Sequence, residues 1–147
     1  MQKQQSGFTL IEVMIVAAIV AILAGVAFPS YMAQVRKSNR SDAKVLINEV
    51  AQRMQRCFTA QNTYKPAAGT CAVVDEVSGS GIISHEEFYV ATLVNGDKPE
   101  TTYLLKVTPV PGGRQANDND CKTFTLNQAG VRKAFNNSNT DTTDTCW

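Results

Sequence analysis

Gly7-Phe8-Thr9-Leu10-Ile11-Glu12-Val13-Met14-Ile15-Val16 opens a run that stays apolar as far as Phe28, interrupted after Gly7 only by Thr9, Glu12 and Gly25. At about 1.5 Å per residue, a helix over residues 8–28 is just long enough to cross a hydrocarbon core of about 30 Å. A short polar leader, residues 1–7, precedes it and carries Lys3. An ordinary export signal has a shorter apolar stretch closed by a small-residue cleavage site. Ala24-Gly25-Val26-Ala27 supplies small residues, but the run is long and starts directly at the leader. Glu12 is the anomaly. An acid in lipid costs about 3 kcal/mol on insertion scales and usually has a partner or a function. Snorkelling to the interface is the bland alternative.

The 147 residues suit one globular unit with an extension. A formal net charge of +1 gives no whole-molecule attraction to nucleic acid or acidic membranes. The four cysteines, Cys57, Cys71, Cys121 and Cys146, all follow the apolar run and form no Cys-x-x-Cys pair. An even count beyond a membrane-targeting segment reads as two disulfides in an oxidising compartment. Order along the chain suggests Cys57 with Cys71 and Cys121 with Cys146, although four cysteines allow three pairings. His85 is the lone histidine. It lies in a polar stretch as a solvated side chain, and no catalytic constellation forms around it. Neither cofactor nor metal is expected. Asp118-Asn119-Asp120 has oxygen ligands but lacks the full EF-hand pattern, so it reads as a polar turn before Cys121.

Pro29 directly follows the span, with Gly25 just before it, and predicts a bend or local unwinding. Helical spacing then resumes at Ala43, Leu46, Ile47, Val50, Met54, Cys57 and Phe58, with polar residues between. One helix from 8 to about 58 would be on the order of 75 Å long. Residues 61–87 carry Pro66, Gly69, Gly79 and Gly81 without a sustained period, and read as a long loop. Residues 88–94 and 101–110 are β-rich and flank a hairpin-like turn at 95–100; residues 122–127 form a third strand, continued by 131–135. Residues 136–145 are nearly all Asn, Ser, Thr and Asp and read as a surface loop. The fold class is α+β: a long helix, apolar then amphipathic, against an antiparallel sheet.

The opening string resembles the prepilin signal of type IV pilins and of type II secretion pseudopilins. The resemblance implies cleavage after Gly7 by a membrane-embedded peptidase and N-methylation of the new terminus at Phe8. It also implies that Glu12 meets the cationic amine of a neighbouring subunit as helices stagger in a filament core. Buried charges would then be paired. The stretch from Asp118 through Cys121 and residues 124–130 to Cys146-Trp147 is similar to the C-terminal half of PilE-like and ComP-like pilins, in which two cysteines bound a loop on the filament surface. Together these imply a leader at 1–7, a transmembrane and filament-core helix at 8–28, and an extracytoplasmic head at 29–147. Arg36, Lys37, Arg40 and Lys44 follow the span and by the positive-inside rule favour the opposite orientation. The cysteines and the specific signal outweigh that rule.

The function implied is a structural subunit of a type IV pilus, minor and PilE-like, serving adhesion, motility or DNA uptake. Its expected partners are other pilin subunits, the prepilin peptidase and the assembly machinery, with passage from the inner membrane to the cell surface. A type II secretion pseudopilin is one alternative. A DNA-binding competence pilin is another, because phosphate contacts need only exposed Lys and Arg. The helix cations Arg36, Lys37, Arg40, Lys44, Arg53 and Arg56 read mainly as solvated or subunit-pairing charges. Lys122, Arg132 and Lys133 are better placed for an exposed DNA-contacting patch.

Overall fold

The computed structural model describes residues 7–94 and 100–147. It comprises two compact units, the first ending at Val35 and the second running from Arg36 to Trp147. Helix α1, Leu10–Gln61, passes through both.

In the first unit, Thr9 caps the helix. Its carbonyl accepts from the Val13 N–H at 3.3 Å, and its Oγ1 accepts from the Glu12 N–H at 3.3 Å. Threonine followed three residues later by glutamate has the spacing of a capping box. The side chains beyond are apolar and exposed, among them Leu10, Ile11, Met14, Ile22 and Phe28. Of the bend or local unwinding expected at Pro29, the unwinding is absent: α1 continues through it. Proline removes one helical bond and crowds the carbonyl four residues back. That carbonyl belongs to Gly25, which has nothing within 4 Å of the position a Cβ would take.

The second unit is built on the later half of α1. Ala43, Leu46, Ile47, Val50, Ala51, Met54 and Cys57 recur every three or four residues and are buried. They face an antiparallel meander of five strands in chain order: β1 Ile82–Ile83, β2 Tyr89–Leu93, β3 Leu104–Pro109, β4 Thr123–Asn127 and β5 Arg132–Phe135. Pairing puts Ala91 opposite Val107, Leu105 opposite Leu126, and Val107 opposite Phe124. All are buried, so the register aligns one apolar face with the helix. Tyr89 and Phe124 fill its centre, edge to face at 6.1 Å. The turn expected at 95–100 lies, but for Glu100, outside the described residues.

The long loop expected at 61–87 is more ordered than its composition suggests. Helix α2, Ala72–Ser78, buries Val73, Val74 and Val77, and β1 pairs with β2. Three valines within two turns, between glycines and a proline, give a weak local helix signal. Burial overrides it. Gly81, at φ 84°, sits where a Cβ would meet Val90 Cγ2 at 2.7 Å and Ala91 O at 2.9 Å. Only glycine lets the chain pass there into β1.

The polar tail is likewise more than loop. Asn136 Oδ1 accepts from the N–H groups of Ser138 and Thr140, and Phe135 bridges to Asp141. Helix α3, Thr143–Cys146, then returns the chain to the core. Its side chains replace burial with local backbone bonding.

Candidate functional site

Three places hold the residues singled out from sequence. The first is the N-terminal segment. Gly7 and Phe8 precede the capped helix start, and Phe8 is 84% exposed. Glu12 lies in the first turn of α1, where a carboxylate also favours the positive end of the helix dipole. Its local partner, Thr9, was missed in the sequence although the Thr-x-x-Glu spacing was there to read. The helix is long and apolar enough to cross a membrane, and none of its most apolar window is buried.

The second place is the disulfide-tied end of the head. Cys57 is bonded to Cys71, with Cα atoms 6.2 Å apart, and Cys121 to Cys146, with Cα atoms 5.7 Å apart. The first bridge holds the entry to α2 against the end of α1. The second holds α3 beside the start of β4. Trp147 follows directly, edge to face with Phe124 at 5.8 Å, its indole Nε1–H donating to Lys133 O at 2.9 Å. Lys44 Nζ donates to the Trp147 O at 3.0 Å. The surface of this end is therefore anchored on core side chains.

The third place is the set of candidate cations, and here the structure divides what the sequence grouped. Antiparallel pairing sets Thr123 opposite Phe135 and Leu126 opposite Arg132. Lys122 thus lies just beyond one end of the β4–β5 ladder and Arg132 at the other, separated by about 14 Å at about 3.4 Å per residue. Lys122 Nζ donates to Ala116 O, Lys133 lies 3.9 Å from Asp141, and Arg132 covers the Trp147 ring at 5.2 Å. Arg132 and Lys133 are both exposed on the edge strand β5, where consecutive side chains take opposite faces of the sheet, and Lys122 lies beyond the far end of the ladder.

The helix cations are divided as well. Arg40, read as a solvated charge, is buried: Nε and Nη2 bind both oxygens of Asp118 at 2.7 and 2.8 Å. The hydrogen bond to Asp118 outweighs desolvation and raises the Arg40 pKa. Asp120 lies a further 3.6 Å from the guanidinium. The carboxylate considered for calcium is thus committed to an arginine, and among the described residues no acid, cysteine or histidine cluster is placed to hold a metal ion. Beside this pair, Gln115 Nε2 donates to Tyr89 Oη at 2.9 Å and to Arg36 O at 3.0 Å. Burial pushes the Tyr89 phenol up to about 12. Arg53 pairs with Glu76. His85 is solvated, 3.6 Å from Glu86.

Residues 2–28 match the model of the prokaryotic N-terminal methylation motif, and residues 29–125 match that of the type IV minor pilin ComP, DNA uptake sequence receptor. The type IV major fimbrial protein FimA of Dichelobacter nodosus is 33% identical over 66% of this chain and 57% of its own length. The fimbrial protein EcpC of Eikenella corrodens is 30% identical over 78% of this chain and 72% of its own. The chain thus spans little more than half of the first relative and most of the second. In fold it is similar to the non-core minor pilin PilV of Neisseria meningitidis, with a TM-score of 0.52 at 18% identity over 70% of this chain and 89% of that one. Both sequence matches lead to one family: this chain belongs to the type IV pilins, structural subunits of type IV pili, and within them to the minor-pilin family of ComP.

Proposed function

We propose that this pilin enters the filament as a minor subunit after cleavage between Gly7 and Phe8 and N-methylation of Phe8. Residues 1–7 are the leader, residues 8–28 first anchor the chain in the inner membrane and then lie in the filament core, and residues 29–147 form the head outside. The observation that carries this reading is the capped, exposed apolar first part of α1, to Phe28, in which Glu12 is the single acid. Alone, that carboxylate has no counter-charge among the described residues of its own unit. The amine freed at Phe8 of a neighbouring subunit supplies one, which is a register device as much as a source of attraction. The prepilin peptidase and the assembly machinery are the partners this route requires. The relatives named above are fimbrial proteins and a minor pilin, which favours the pilus over a secretion pseudopilus.

Intact mass of the protein from sheared filaments tests the route. The expected chain starts at Phe8 and carries one added methyl group; a terminus near Ala27 overturns it. Immunogold labelling sparse along filaments supports a minor subunit, and dense continuous labelling shows a major one.

A second reading is favoured by the match to a DNA uptake sequence receptor over residues 29–125. In it, Arg132 and Lys133 contact phosphates from the β5 edge, and the full chain in neutral detergent binds duplex DNA with an affinity that falls steeply with salt. Binding unaltered in Arg132→Gln/Lys133→Gln removes these two residues from the contact, and no binding at low salt removes the reading.

A further inference from the structure

We propose that the groove between α1 and the β4–β5 turn binds a carboxylated sugar residue. Its volume is about 520 Å³, within the range of about 300–1,000 Å³ usual for small-ligand sites. Ala51, Tyr103 and Leu126, all buried, give it an apolar floor. Its walls come from the exposed flank of α1 and from the turn.

Hydrogen bonds inside the turn determine what those walls can offer. Asn127 Oδ1 accepts from the N–H groups of Ala129 at 3.0 Å and Val131 at 2.9 Å, and Gln128 Oε1 accepts from the Tyr103 N–H at 3.2 Å. Asn127 Oδ1 has both lone pairs occupied and Gln128 Oε1 one of its two, so Asn127 offers the groove its NH₂ group and Gln128 its NH₂ group and one remaining acceptor position. Arg56 and Arg132 add two guanidiniums. Neither is in an ion pair among the described residues. Arg132 lies over the Trp147 ring, which leaves its N–H edge open. The flank of α1 has the opposite sense: Asn48 Nδ2 donates to Lys44 O at 2.6 Å and Gln55 Nε2 to Gln128 O at 3.5 Å, so the Oδ1 of Asn48 and the Oε1 of Gln55 accept, and Gln52 beside them carries both a donor and an acceptor.

Two guanidiniums set among amides that both donate and accept call for an anion that also carries hydroxyls. Inorganic phosphate is too small for the volume, has no apolar face for the floor and at neutral pH little to give Asn48. A sugar carboxylate meets each demand. The carboxylate takes the guanidinium donors, hydroxyls exchange hydrogen bonds with Asn127, Gln128 and Asn48, and the C–H face of the ring covers Ala51 and Leu126. This inference does not depend on filament assembly or on DNA, and concerns what the head can hold.

Calorimetric titration of the full chain in neutral detergent with galacturonate, galactose and inorganic phosphate tests it. Galacturonate is expected to bind at least about tenfold tighter than the other two, as a charge-assisted pair adds to the shared hydroxyl contacts. Arg56→Gln and Arg132→Gln should each weaken galacturonate about tenfold, with the thermal midpoint unchanged because both side chains are exposed. Galactose or phosphate binding as well as galacturonate overturns the assignment, as does no galacturonate binding or full binding in both variants. Duplex DNA bound through Arg56 and Arg132 without competition from galacturonate also overturns it.

Discussion

Arg40 and Asp118, separated by 78 positions in sequence, meet as a two-point ion pair inside the head, Nε to Oδ2 at 2.7 Å and Nη2 to Oδ1 at 2.8 Å. Asp118 also accepts from the Cys121 N–H at 3.4 Å, so the pair joins α1 to the first cysteine of the C-terminal bridge. Helix, turn and disulfide are thereby fixed to one another at a single carboxylate.

Removing that carboxylate leaves a buried guanidinium facing only the exposed Asp120, 3.6 Å away. Asp118→Ala is expected to lower stability by about 3–5 kcal/mol, whereas Arg40→Met with Asp118→Leu costs much less, because no charge is stranded. Denaturant unfolding of the full chain in detergent measures both. Equal losses in the single and double variants would show that the pair matters for shape alone.

The second disulfide holds a tail with few apolar contacts of its own. Cys121→Ala with Cys146→Ala should cost about 3 kcal/mol by loop-closure estimates for a bridge of this span. Residues 136–145 should become the first site of limited proteolysis. Trp147 fluorescence should shift to longer wavelength as the ring leaves Phe124. A tail that stays protected would mean that the Asn136 and Asp141 backbone bonds hold it unaided.

Tyr89 gives the head an alkaline limit. Its folded pKa is raised to about 12 from an ordinary 10.0, chiefly by burial. The folded state therefore keeps a proton that the unfolded state gives up. The contribution is whole below pH 10 and is lost as pH rises through about 12, on the order of 2 kcal/mol. Unfolding free energy measured between pH 9 and about 12 should fall less in Tyr89→Phe than in the parent chain. Identical slopes would assign the alkaline loss to other groups.

Glu12→Ala is expected to be processed and methylated, because the bond between Gly7 and Phe8 is untouched, yet to enter filaments poorly for want of a counter-charge to the new amine. Comparing the sheared-filament fraction with the membrane fraction measures this. Thr9 is a useful control: Thr9→Ala removes the cap, worth about 1 kcal/mol, and leaves the charge in place. Normal incorporation of Glu12→Ala would end the assembly role of that residue.

Much of the fold was legible because its long elements repeat. The apolar run after Phe8 and the Ala43-to-Cys57 stripe mark α1, and alternation such as Leu105-Lys106-Val107-Thr108 marks a strand with one face buried. Elements held by tertiary contact were not. Helix α2 depends on three valines finding a core, and α3 on a disulfide and on hydrogen bonds from polar side chains. At the N-terminus, the methylation-motif match over residues 2–28 was anticipated because such a signal is a linear string. Arg40 was not, because its partner is contributed by a turn far along the chain. Lys122, Arg132 and Lys133 were grouped by nearness in sequence, and an antiparallel ladder separates such neighbours whenever they flank its two ends.

The strand order β1-β2-β3-β4-β5 also carries a chronology. Each strand pairs with the one made just before it, so the sheet can close by short loops, each inexpensive in entropy. Arg40 is made early and Asp118 late. For the whole interval between them, the helix carries an uncompensated cation on the face that is to be buried. A chain interrupted before Asp118 keeps that defect permanently and cannot mature into a sound head.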